Sequence, residues 1–320
     1  VVQLIVTVTL NAAIDRTLTV PNLQLGQRHR ASQGLTLAGG KGINVARALK
    51  RLEVPVVATG LAGGRTGTRI VEELTTEAIL NDFVRIADES RTSTAVVDPT
   101  SAKYTEINEW GPDVSEEELA MLLDKISYLA RGADLVVFAG TLPRGVHESF
   151  YANAIRDLNR RNVRAVLDSE GQPLRLGVEA EPYLVSPNQR EAEGLVGQEF
   201  NDDEDYLMAL DRIADMGARN VLVTAEARSF GLFREERKRL VFRADAPDLE
   251  PVSAVGSGDV LLAAFLAARV SERSLEDSLR HAVAAGAAST LELGAGRFEP
   301  REASRLLGSI EVRELEPVTR

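Results

Sequence analysis

Asp259 stands where a glycine-rich turn, Gly256-Ser257-Gly258, runs into an unbroken apolar stretch from Val260 to Ala268. The glycines let the backbone turn without a Cβ in the way. The first N–H groups of the helix that must follow have no intrahelical acceptor and lie at the positive end of its dipole, which suits an anion. A carboxylate beside such an anion hole can act as base for a hydroxyl that attacks a phosphoryl group. The same aspartate would also serve as an ordinary helix cap, and this motif alone does not separate the two.

A second glycine-rich turn, Gly39-Gly40-Lys41-Gly42, opens a run from Ile43 to Leu52 made of good helix formers. Its glycines allow a ligand close to the backbone, Lys41 can reach an anionic oxygen, and Asn44 can bond hydroxyls. The phosphate-loop spacing Gly-x4-Gly-Lys-[Ser/Thr] is not met, because Gly42 follows the lysine. Asp15 follows a β-branched strand at Leu4 to Leu10. Open α/β sheets bind ligands outside the carboxyl ends of their strands, so Asp15 can accept bonds from a ligand's hydroxyls. Asn188 with Glu191 three residues on reads as a capping box.

These residues need a frame. Strands are expected at Val54–Gly60, Asp134–Ala139, Arg164–Asp168, Tyr183–Val185 and Asn220–Thr224. Helices are expected at Thr68–Glu77, Ser115–Leu129, His147–Arg161, Leu275–Leu293 and Glu299–Leu307, with a loop at Gly63–Gly67. Such alternation implies a mostly parallel α/β sheet with helices on both faces. Segments at about 16–37 and 90–108 read as strand pieces outside the main sheet, and residues 1–320 as one domain.

Composition narrows the function. With 320 residues and 44% hydrophobic content, the chain can bury a large core. A net charge of −11 argues against nucleic acid and anionic membranes as partners. There are no cysteines, and the three histidines show no metal-ligand spacing. The apolar start, Val1 to Val8, reads as a strand and not a signal peptide, and no apolar run reaches a membrane span. A soluble, cytoplasmic protein is expected.

The two glycine-rich motifs, Val255-Gly256-Ser257-Gly258-Asp259 and Ala38-Gly39-Gly40-Lys41-Gly42-Ile43-Asn44-Val45-Ala46-Arg47, resemble the signatures of the ribokinase (pfkB-type) carbohydrate kinases. The likeness covers nearly the whole chain, and Lys103 to Glu109 is similar to a segment of the 1-phosphofructokinase and tagatose-6-phosphate kinase branch. It implies a ribokinase-like fold with a small β lid, through which two chains can pair. It also implies ATP- and Mg2+-dependent phosphorylation of a ketohexose phosphate. Alternatives are a nucleoside or unphosphorylated-sugar kinase, or a sugar-phosphate-binding protein of weak activity.

In this resemblance Asp259 is the base, and the N–H groups of Gly256, Ser257 and Gly258 face the transferred phosphoryl group. Arg28, Lys41 and Arg91 hold the substrate's phosphate. Asp15, Gly39, Gly40, Asn44 and Asn108 meet the rest of the sugar. Asn188 and Glu191 orient water around magnesium, and Thr224, Glu226 and Gly286 lie on the nucleotide side. Ser186 replaces the family's usual lysine, and Glu226 and Ser229 stand where it has glycines. A carboxylate there would repel ATP phosphates unless Arg228 offsets it.

Overall fold

The central strands are buried along almost their whole length, which demands two covered faces. In the computed structural model, which describes residues 3–101, 103–235 and 238–316, β1 (Ile5–Thr9) is buried throughout. Ile5 joins one apolar cluster, while Val6 and Val8 join another on the opposite face. A strand buried on both sides reads as a continuous apolar run, and this one belongs in the middle of a parallel sheet.

The chain continues through β2 (Ala13–Thr19), β3 (Gln33–Gly39), α1 (Lys41–Arg51), β4 (Val56–Gly63), α2 (Gly64–Thr76) and β5 (Leu80–Ile86). Next come β6 (Arg91–Asp98), β7 (Lys103–Asn108), α3 (Glu116–Leu129), β8 (Leu135–Ala139), α4 (Phe150–Arg160) and β9 (Arg164–Asp168). They are followed by α5 (Gly171–Val178), β10 (Leu184–Val185), α6 (Gln189–Val196), α7 (Asp203–Met216) and β11 (Val221–Ala225). The rest is β12 (Arg228–Glu235), β13 (Lys238–Asp245), α8 (Ser257–Val270), α9 (Leu275–Ser289), α10 (Pro300–Leu306) and β14 (Glu311–Leu315).

The main sheet has the order β14-β13-β12-β11-β10-β9-β8-β1-β4-β5. From β11 to β5 the strands run parallel, and β12, β13 and β14 add antiparallel at one edge. Helices α1, α2, α8, α9 and α10 bury their apolar sides on one face, and α3 to α7 on the other. The expected α/β class and helix placement are therefore observed.

A second sheet, β3-β2-β6-β7, stands apart. Its four roots lie at one end: Ala13 pairs with Gly39 and with Arg91, and Ser93 pairs with Asn108. The connections after Thr19 and Asp98 lie at the other end.

Two boundaries differ most from expectation. The stretch Gly63–Gly67 is not a loop, because α2 already starts at Gly64. The Glu89 carboxylate accepts the Arg65 and Thr66 amides (3.2 and 2.6 Å), capping the helix from a distant segment. Helix α9 stops at Ser289, short of Leu293. Ser289 and Thr290 hydroxyls bond back to the Gly286 and Ala287 carbonyls, and the Thr290 carbonyl accepts from Val252 and Ser253.

Candidate active site

Lys41 follows β3 and Asp168 ends β9, while Asp15, expected just after the first strand, lies inside β2 of the small sheet; all three come close to Asp259. Each glycine of the first turn has a distinct local task. Gly39 yields to Asp15, whose carboxylate oxygen would lie 1.9 Å from an added Cβ. Gly40 has φ 108°, a conformation that side chains rarely adopt. Gly42 presses on β1, where an added Cβ would come 2.4 Å from the Thr9 hydroxyl. The chain thereby enters α1 with Lys41 and Asn44 beside the end of β1.

Asn44 donates to Asp259 across 2.8 Å. Asp259 is 6% exposed in the first turn of α8. Burial pushes its carboxyl up to about 8; nearby Asp168 adds to this, while Lys41 and the Asn44 bond work against it. A buried carboxyl that resists ionisation holds a proton strongly once it has one, which suits a base. Gly256 turns the chain into α8 at φ 79°. Nothing lies within 4 Å of a Cβ added to Gly258, so the helix mouth is open above that residue. The Ser257 amide, expected to face a phosphoryl group, instead donates to the Ala254 carbonyl (3.2 Å) because the turn closes on itself. The anion hole is left to the amides of Gly256, Gly258 and Asp259.

Lys41 is also placed differently from expectation. Its ammonium bonds Asp168 at 2.6 Å and Glu191 at 3.1 Å, not the small sheet. Burial opposes its charge, but Asp168, Glu191 and Asp259 outweigh this and raise its pKa. Two carboxylates bond this ammonium and a third, Asp259, lies near it, a concentration of oxygen donors that suits an incoming cation. Among the described residues no group of three His, Cys, Asp or Glu side chains is arranged to ligate a metal directly. That set fits magnesium held through water, its usual habit.

Asn188 and Glu191 form the reciprocal capping box of α6, each bonding the other's amide at 2.9 Å. Burial raises the Glu191 carboxyl, and Lys41 opposes the shift. Thr224 bridges to Asn188 across the strand ends.

On the small sheet, Asp15 is held at about 6 by burial, with Arg91 and then Arg47 pulling it down. Arg91 donates to the Asn11 carbonyl (3.3 Å) and to the Asn108 side chain (2.9 Å). A cleft lies under this sheet, lined by Asp15, Asn44, Ser93, Glu106, Val255 and Gly294 among others. Arg28 does not join it: the residue is exposed between β2 and β3, and it makes no hydrogen bond or ion pair with the described residues. Gly286 packs α9 on α8, where an added Cβ would come 3.1 Å from Leu261. Asp168 was not singled out in the sequence; its signal was an aspartate ending a buried strand.

The Glu226 segment is a tight hairpin between β11 and β12, with Ala225 opposite Arg228 and Thr224 opposite Ser229. Ser229 sits in regular strand and needs no glycine. Glu226 is exposed, and Arg228 does not offset it; the guanidinium pairs with Asp203 at 3.0 Å and lies over the Tyr206 ring. Glu226 adopts φ 35°. For the ATP and magnesium that the resemblance implies, Glu226→Gly is therefore expected to leave the apparent KM for ATP within about twofold at low and high magnesium, as for an exposed loop charge. The variant should melt higher, by about 1 kcal/mol of relieved left-handed strain. ATP titrations and thermal melts check both; a tenfold gain in ATP affinity would place Glu226 at the phosphates.

Residues 4–302 match the family model described as pfkB family carbohydrate kinase. The chain is 32% identical over 312 residues to a 1-phosphofructokinase of Borreliella burgdorferi, covering 98% of this chain and 99% of that protein. It is 28% identical over 315 residues to a tagatose-6-phosphate kinase of Staphylococcus epidermidis, covering 98% and 100%. Its fold matches phosphofructokinase-2 from Escherichia coli in complex with fructose-6-phosphate, with TM-score 0.86, 28% identity, and 97% and 99% of the two chains covered.

Proposed function

Since this chain belongs to the pfkB family of carbohydrate kinases, we propose that it transfers the γ-phosphoryl group of ATP to a hydroxyl of a ketohexose phosphate, forming the bisphosphate. Fructose 1-phosphate, tagatose 6-phosphate and fructose 6-phosphate are the candidate substrates. The observation that carries the reading is Asp259, buried at an open helix mouth and bonded to Asn44.

Asp15 and Asn44 position the sugar hydroxyls in the cleft. Arg91, fixed by Asn108 and Asn11, supplies the cation for the phosphate already on the sugar. Asp259 takes the proton of the attacking hydroxyl. The free amides of the Gly256 turn face the charge that develops on the transferred group, where fixed dipoles act most strongly. Asp168, Glu191 and Asn188 would hold magnesium through its water shell, and that ion would supply neutralising charge to the ATP phosphates. The small sheet acts as a lid. The exposed side chains of Tyr104, Ile107 and Trp110 on and beside its β7 edge support pairing of two chains through it. A cytoplasmic setting fits, because ATP and sugar phosphates are intracellular metabolites. No helix among the described residues is long and apolar enough to cross a membrane.

A coupled assay of ADP release over the three sugar phosphates and free fructose tests the assignment. A phosphorylated ketohexose should be preferred by at least tenfold in kcat/KM, and equal use of free fructose would defeat it. Arg91→Ala should remove most of that preference, about 1.5 to 3 kcal/mol of charge-assisted bonding, while the KM for ATP stays nearly unchanged. Isothermal titration with each substrate separately reads the two effects apart.

A further inference from the structure

We propose that Arg47 is a positioning residue of this reaction: it holds the Asn44 amide in the orientation that donates to Asp259, and it fastens the root of the lid to the loop beneath the Gly256 turn. The inference rests on the kinase reading above.

Arg47 is 3% exposed, and all three guanidinium nitrogens are engaged. Nε and Nη2 fork onto the Glu77 carboxylate at 2.5 and 2.8 Å. Nη2 also donates to the Ala38 carbonyl (2.7 Å), just ahead of Gly39-Gly40, where the lid meets α1. Nη1 donates to the Ala295 carbonyl (3.2 Å) and to Asn44 Oδ1 (3.3 Å). A side-chain amide donates from one end and accepts at the other. With its oxygen facing Arg47, Asn44 must present its NH2 to Asp259.

Ala295 matters because it is the floor of the anion hole: a Cβ on Gly256 would come 2.7 Å from it. Gly296, next in the chain, packs on Asn44 so closely that its added Cβ would lie 2.7 Å from the Asn44 carbonyl. One buried cation therefore ties together lid root, amide and anion hole. Lysine cannot replace it, since an ammonium lacks the planar fork.

The groups facing Asp259 are Asn44 and Lys41 from α1, Asp168 from β9 and Asp15 from β2. Losing the Asn44 bond removes one influence that favours the carboxylate, so the acid limb of kcat should move to higher pH.

The test uses Arg47→Met and the pair Arg47→Met/Glu77→Leu, which leaves no lone carboxylate, each with and without Asn44→Ala. Arg47→Met should lower kcat about tenfold or more, change the KM for ATP less than about twofold, and shift the acid limb upward. In the Asn44→Ala background the same change should cost markedly less than in wild type, because the Asn44 part is already lost and only the tie from Ala38 to Ala295 remains to be broken. The 15N-labelled Asn44 side-chain amide, assigned by its loss in Asn44→Ala, should shift or broaden in Arg47→Met. Equal losses in both backgrounds, or an unmoved Asn44 amide, would overturn the proposal. Wild type inactive on every phosphorylated sugar would defeat the kinase reading instead, and the amide resonance would still decide the clamp.

Discussion

Asp259→Asn is expected to lower kcat by roughly 10² or more, the range for a lost general base, with sugar binding retained. The same variant should be more heat-stable than wild type at neutral pH. The Asp259 carboxyl sits at about 8 in the folded protein, against an ordinary value of 3.8, chiefly because it is buried. The folded state therefore binds this proton more tightly than the unfolded state does. Stability from this group is complete below about pH 4 and drains away as pH rises through 8. Asparagine keeps the shape and can still accept from Asn44, yet it never ionises. The difference in melting temperature should open between pH 4 and 8 in favour of the variant. Melts across that range, with turnover of the same samples, check both halves. Wild-type turnover would remove Asp259 from the chemistry, and a melting difference independent of pH would show that the carboxylate ionises without penalty.

Lys41→Met should be nearly as damaging to turnover, and it should behave oppositely in stability. Removing the ammonium leaves Asp168 and Glu191, 6% and 9% exposed, facing each other with Asp259 nearby. Breaking a buried pair from one side costs about 3 to 5 kcal/mol. Lys41 itself is 35% exposed, so solvent screening reduces this to about 1 to 3 kcal/mol. The deficit should shrink as pH falls, because Glu191 and Asp259 are already raised by burial and take up protons readily. Added magnesium should also restore stability to the variant. Denaturant melts at pH 5 and 8, with and without the metal, measure this. A deficit of equal size at both pH values would mean that the carboxylates do not depend on Lys41.

The places of Asp259 and Asn44 at helix starts were legible in the sequence because local rules set them, whereas Asp15, read as following the first strand, stands inside β2. Glycines mark where a backbone must turn tightly, and strand ends mark where ligands bind. The main sheet was legible for the same reason, since runs such as Leu135 to Ala139 can only be buried strand. What the sequence hid is long-range pairing. Lys41 meets Asp168 across 127 positions, and Arg47 reaches Ala295 across 248. No local pattern says which acid a lysine will find. Arg28 stands on the exposed connection between β2 and β3, apart from the cleft of its own chain, and no local pattern in the sequence reveals that. Glu226 stands at the corner of a two-residue hairpin, which faces water whatever residue stands there.

The roots of the small sheet have a mechanical consequence. Asp15 lies two residues from the Ala13 root, and Arg91 and Asn108 stand at roots themselves. Strand β2 reaches about 20 Å from Ala13 to its far end at 3.4 Å per residue. A swing of about 10° about the roots carries that end through roughly 3.5 Å but displaces Asp15 by only about 1 Å. On the proposed reading the sugar would be gripped at the fulcrum while the entrance is swept by the long arm. Substitutions near Thr19 should then alter how fast product escapes and leave the affinity of the first encounter almost untouched.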